Sequence, residues 1–191
     1  VASASSGSAL CGSACQVMMP LRTAASTAAR SVAFGQTTHP GMSSGVWLLR
    51  PESRGYVEAV SADPHEQPAI NPNYMAEDRH RRTVVAGLRM VRDWFNAPAL
   101  KQYLVAEKFP GANLQTDDEL LGYARDMGST VFHATCSCKM GNDPLAVVDD
   151  RLRVHGMEGL RVIVGVVMPA VSSNNTNAPS IMIGVKGADM I

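Results

Sequence analysis

No acidic residue occurs before Glu52. Residues 1–51 carry Arg22, Arg30 and Arg50 but neither Asp nor Glu, so all 17 carboxylates of the chain fall in 52–191. Within the first 32 residues there are eight Ala and seven Ser, too little large apolar surface to offset the entropy of ordering the backbone. The hydrophobic core must therefore be built by the later part of the chain, and residues 1–35 are expected to form a low-complexity, disordered lead or the cut start of a longer chain. An Arg-bearing, Ser-rich, acid-free start also resembles an organelle transit peptide, although this chain begins with Val1.

The remainder is ordinary globular material: 191 residues with 46% hydrophobic and 18% charged side chains are enough for a core, and they exclude a collagen-like, coiled-coil or wholly disordered chain. Lys+Arg and Asp+Glu are both 17, which leaves no net field to gather nucleic acid, so the expected partner is a small molecule. No apolar run approaches the length of about 18 residues that a transmembrane helix needs. The expected location is cytoplasmic or peripheral to a membrane, with organelle import the alternative. The four cysteines, Cys11, Cys15, Cys136 and Cys138, lack disulfide-scaffold spacing, and Cys136-Ser137-Cys138 is one residue tighter than a C-x-x-C pair, so free thiols and no metal site are expected.

Along the chain, Val46–Leu49 and Tyr56–Val60 are β-rich runs around Arg50-Pro51-Glu52-Ser53-Arg54-Gly55, a pattern that predicts an antiparallel hairpin. Pro68-Ala69-Ile70 is expected to be extended. Val84, Leu88, Val91 and Phe95 follow a helical stripe, predicting a helix over 77–96 that ends or breaks at Pro98, before an apolar stretch at Leu100–Val105. Thr116-Asp117-Asp118-Glu119 is a capping box that predicts a helix to Met127, stopped by Gly128. Strands are expected at Leu152–Val154 and Leu160–Val167 with turns at Gly156 and Gly159, and a terminal helix over Ile181–Ile191. The mixture of hairpins and single helices predicts an α+β fold. No G-x-G-x-x-G, G-x-x-x-x-G-K-[ST] or G-x-S-x-G occurs, so no dinucleotide, P-loop or hydrolase site can be assigned.

Two segments could carry chemistry. His133 is followed by Ala134-Thr135-Cys136-Ser137-Cys138, small residues that let a ligand approach the backbone, and imidazole is the commonest base near neutral pH. Ser172-Ser173-Asn174-Asn175-Thr176-Asn177-Ala178-Pro179 gathers small polar groups after Val162–Pro169. Taken singly, the first also fits a structural histidine and the second a turn that satisfies its own backbone.

Together they carry a resemblance. His133-Ala134-Thr135-Cys136-Ser137-Cys138-Lys139-Met140-Gly141, then Val147–Gly156, Gly159-Leu160-Arg161-Val162, Val167-Met168-Pro169 and Asn175–Gly184 with Gly187–Ile191, follow the order of the C-terminal signature of the glucose–methanol–choline (GMC) oxidoreductases. Cys136-Ser137-Cys138-Lys139 is most similar to the choline dehydrogenase branch. Leu49–Gly55, Ser61-Ala62-Asp63-Pro64 and Asn71-Pro72-Asn73-Tyr74 resemble the same family's substrate domain.

The resemblance implies a GMC-type substrate-binding domain over 36–132, an antiparallel sheet with helices, followed over 133–191 by the C-terminal return segment of an FAD-binding domain. It implies FAD as cofactor and a small-molecule alcohol, choline or another primary alcohol, oxidised to the aldehyde. His133 would take the hydroxyl proton while hydride passes to flavin N5, and Asn175 would hold the substrate oxygen. Val167, Met168, Pro169, Asn175 and Thr176 would contact the cofactor. Val164-Gly165-Val166 departs from the family's Asp-Ala-Ser, and Asn174 stands where a Gly is usual. The family's N-terminal FAD-binding half has no counterpart in these residues. The alternative is a non-catalytic fragment or degenerate relative that acts at most as a binding module.

Overall fold

The computed structural model describes residues 9–11, 41–173 and 175–191, the first three by their backbone alone. The expectation for 1–35, the thiols of Cys11 and Cys15, and the Asn174 departure lie outside the described side chains. The described chain is α+β: three short strands, β1 (Ala9–Cys11), β2 (Gly55–Glu58) and β3 (Ala69–Asn71), and four helices, α1 (Asp78–Asn96), α2 (Pro98–Lys101), α3 (Asp117–Met127) and α4 (Asn177–Ala188), with one 3-10 turn at Gly165–Val167. No helix among the described residues is long and apolar enough to cross a membrane.

The strands form one antiparallel sheet in the order β1-β2-β3, with Val57 opposite both Ala9 and Ile70. The hairpin expected between Val46–Leu49 and Tyr56–Val60 does not form: β2 pairs with β3 and β1, and 46–49 is not a strand. The intervening segment explains this. Arg50 adopts a left-handed φ of 54°, and the Arg54 guanidinium collects the carbonyls of Pro51, Glu52 and Ser53 at 2.9–3.2 Å. These bonds fold the segment around its own arginine instead of as a tight two-strand turn. Gly55 must lack a side chain, because a Cβ there would run into the carbonyl oxygen of Asn71 across the sheet.

Two compact units divide the chain. The first contains 48–80 and 131–191. Its core is Val148, Leu152, Val167, Met168 and Ile183, flanked by Met140, Val147, Val154, Val162, Ile163 and Met190. Strands expected at 152–154 and 160–167 reduce to the isolated bridges Val148–Val154 and Arg153–Arg161. Left-handed turns at Leu152 (62°), Gly156 (76°) and Gly159 (72°) follow too closely for a ladder to extend. The last helix begins at Asn177 rather than Ile181, since Pro179 falls in its first turn, where a missing N–H costs nothing. The second unit contains 41–47 and 81–130 among its described residues, with Val85, Leu120 and Ala124 buried. Leu88, Val91 and Phe95 of α1 are half-buried, as the helical stripe requires. Gly87 leaves room for the Val46 side chain, which a Cβ would strike. The capping box of α3 is present in full: Thr116 Oγ1 accepts from Glu119 N, and the Glu119 carboxylate accepts from Thr116 N. Those backbone bonds hold the Glu119 carboxyl below its ordinary range.

Candidate active site

Within the first unit, the fold brings His133 to the start of α4. The half-buried imidazole lies 2.6 Å through Nδ1 from Oγ1 of buried Thr176, and 3.4 Å through Nε2 from Nδ2 of exposed Asn175. Residues 42 and 43 positions apart thus hold the two ring nitrogens. The Asn175 amide has a defined orientation, because its Oδ1 accepts from Asn177 N at 2.8 Å and this turns Nδ2 toward the ring. Thr176 is anchored in turn: its carbonyl accepts from Ser180 N at 3.0 Å and from Ser180 Oγ at 2.7 Å.

The backbone that delivers His133 is unusual. Phe132 has φ 59° and Cys136 φ 69°, left-handed conformations that cost non-glycine residues energy and that tend to persist where a side chain must be aimed. Cys138 N then bonds Val166 O at 3.1 Å and Met140 N bonds Val167 O at 2.8 Å, tying this segment to the 3-10 turn. Cys136 is buried, and burial pushes the Cys138 thiol up, which keeps it protonated. A second line of contacts reaches the 172–175 turn from Arg50, whose Nε donates to Ser173 Oγ. The segment after Arg50 is fixed by buried His80, which accepts from Glu52 N at 2.9 Å and lies 3.3 Å from Ser53 Oγ.

The other residues expected near a cofactor sit differently from one another. The side chains of Val167 and Met168 belong to the core, so only their backbone can face a ligand. Much of that backbone is engaged, Val167 N with Val164 O and Met168 N with Gly165 O. Pro169 is exposed, and half-exposed Val164 stands at the head of the 3-10 turn with no carboxylate to offer. The contact between Thr176 and His133 was not legible in the sequence; the only available signal was a threonine immediately before a helix start.

The GMC oxidoreductase family model matches residues 51–184. An oxygen-dependent choline dehydrogenase of Paraburkholderia xenovorans (strain LB400) is 45% identical over 151 residues, 79% of this chain and 27% of that protein. One from Pseudomonas syringae pv. tomato is 44% identical over the same length. The chain therefore spans about a quarter of the length of these relatives. Among solved structures, pyridoxine 4-oxidase from Mesorbium loti superposes with a TM-score of 0.72 at 25% identity, covering 83% of this chain and 31% of that one. Formate oxidase from Aspergillus oryzae RIB40 gives 0.72 at 32% identity, covering 82% and 28%. A matched family model over most of the chain, relatives at this identity and the shared fold lead to one conclusion: the chain belongs to the GMC oxidoreductase family.

Proposed function

We propose that this chain supplies the proton-handling part of an FAD-dependent oxidation in which an alcohol, choline or another primary alcohol, becomes the aldehyde. The observation that carries the proposal is the convergence of His133 Nε2 and the Asn175 amide at one point. An alcohol C–H is a poor hydride donor until its oxygen gains negative charge, so a base and a hydrogen-bond donor must meet at that oxygen. His133 is the base that takes the hydroxyl proton. Asn175 donates to the oxygen as charge develops on it, and the bond from Asn177 N keeps the amide aimed without reorganisation. The choline dehydrogenase relatives support the substrate class.

The residues present fit a flavin. Of the first-turn N–H groups of α4, Asn177 N is taken by Asn175 Oδ1 and the Thr176 hydroxyl takes none, so the rest of the partial positive charge at the helix start suits an electron-rich ring edge. Asn175, Thr176 and the backbone of Val167, Met168 and Pro169 would hold it, in the return segment proposed for 133–191, with 36–132 as the substrate-binding part. When bound, FAD supplies the hydride acceptor. The expected result is that the purified protein takes up FAD, read by absorbance at about 450 nm, and that choline bleaches it anaerobically. His133→Ala should slow that bleaching by about 10²–10⁴-fold, the usual share of general acid–base catalysis. Unchanged bleaching removes His133 from the role, and a protein that takes up no FAD leaves the non-catalytic binding module as the function of this chain.

A further inference from the structure

We infer that Thr176 is a positioning residue that fixes the tautomer of His133, leaving the lone pair on Nε2 and the proton on Nδ1. The inference rests on His133 being the base, but its first observable is independent of turnover.

The argument begins with Asn175. Its Oδ1 is engaged by Asn177 N at 2.8 Å, so the group facing Nε2 at 3.4 Å is the NH₂, which has hydrogens to donate and no lone pair to accept with. Nε2 must then be the unprotonated nitrogen of the neutral ring. The proton belongs on Nδ1, and the atom in reach there is Thr176 Oγ1 at 2.6 Å. A hydroxyl oxygen accepts readily, so the two contacts select one tautomer together.

The second observation comes from what Thr176 forgoes. It is the N-cap residue of α4, the position at which a threonine hydroxyl ordinarily accepts from the first-turn N–H groups, yet it makes no such bond. Thr116, the N-cap of α3, has φ −79° and ψ 159° and its hydroxyl caps the helix; Thr176 has φ −80° and ψ −3°, and its hydroxyl bonds the imidazole. The same residue at the same helix position thus serves two purposes in one molecule. Thr176 is buried, at 7% exposure, and its carbonyl is held twice by Ser180, so the hydroxyl is presented from a fixed frame. This assigns the hydroxyl a task in addition to any contact Thr176 makes with the cofactor.

The test is ¹⁵N NMR of the histidine ring nitrogens in the whole chain, with the imidazoles neutral and His133→Gln used to assign the resonance. The expected signature is a pyridine-type Nε2 and a pyrrole-type Nδ1 for His133. Thr176→Val, which removes the acceptor at similar volume, should bring in the opposite tautomer, and Thr176→Ser should restore the first. In flavin-loaded protein Thr176→Val should lower kcat with KM little changed, again rescued by Ser. A pyrrole-type Nε2 in the unaltered protein, or a tautomer unmoved by a folded Thr176→Val, overturns the inference. If Thr176→Val does not fold, the unaltered protein and Thr176→Ser still decide it. The tautomer result stands whether or not choline bleaches the flavin, so this failure and that of the proposed function are told apart.

Discussion

Asp149 organises its own turn: Oδ1 accepts from the backbone N–H groups of Arg151 and Arg153, both at 2.9 Å, and Oδ2 accepts from Arg153 Nε at 2.7 Å. The Arg153 side chain, with these backbone bonds, lowers its carboxyl from the ordinary 3.8 to about 2. A carboxyl lowered by folding stabilises the folded state above its unfolded value and loses that contribution as pH falls through the folded one. Asp149→Asn should therefore melt below the parent near neutral pH, with the gap closing between about pH 4 and about pH 2. Thermal melts across that range check it, and a gap independent of pH would deny the charge any part. At this scale sequence reasoning reached His133 and Asn175 through the order of motifs, since both lie in segments that match a family signature. The bond from the Thr176 hydroxyl to His133 could not be read there, because the direction of a threonine hydroxyl depends on backbone angles that residue type does not encode.

The elements that could be read in advance are those whose causes are local. The stripe of Val84, Leu88, Val91 and Phe95 and the Thr116–Glu119 box each contain the reason for their helix within a few residues. Thr116→Ala should cost about 0.5–2 kcal/mol, because Glu119 N then loses its acceptor, while Thr116→Ser should retain most of that stability. Urea unfolding of the three proteins measures the difference, and an alanine variant equal to the parent would mean that the box adds nothing to α3. Strands behaved otherwise. The β-rich run Val46–Leu49 had suitable residues, but the segment after it folds around Arg54, and β2 pairs with β3 instead. The Leu152–Val154 run starts at the left-handed Leu152, and the Leu160–Val167 run, which follows the left-handed Gly159, ends in the 3-10 turn. Strand pairing depends on what lies opposite, which local propensity does not contain.

For the molecule as a whole, the decisive fact is that the unit carrying the site joins 48–80 to 131–191 across a long interval of chain. The core that packs α4 lies wholly in the later of these segments, so the meeting of His133 with α4 depends on the cluster of Val148, Leu152, Val167, Met168 and Ile183. Helix α4 offers an internal comparison. Ile183 is 5% exposed within this cluster, whereas Ile181, two residues earlier, is 60% exposed. Truncating the first removes packed methyl groups and leaves a cavity; truncating the second removes atoms that already face outward. Ile183→Ala should lower stability by about 2–5 kcal/mol, a large part of the roughly 5–15 kcal/mol that holds a typical domain together. Ile181→Ala should stay within about 0.5 kcal/mol of the parent. In urea titrations the first should shift the midpoint at constant slope, and Ile183→Val should fall between, at about 0.5–1.5 kcal/mol. Equal effects at the two positions would mean that α4 does not dock through Ile183, and the frame that holds Asn175 and Thr176 against His133 would then need another anchor.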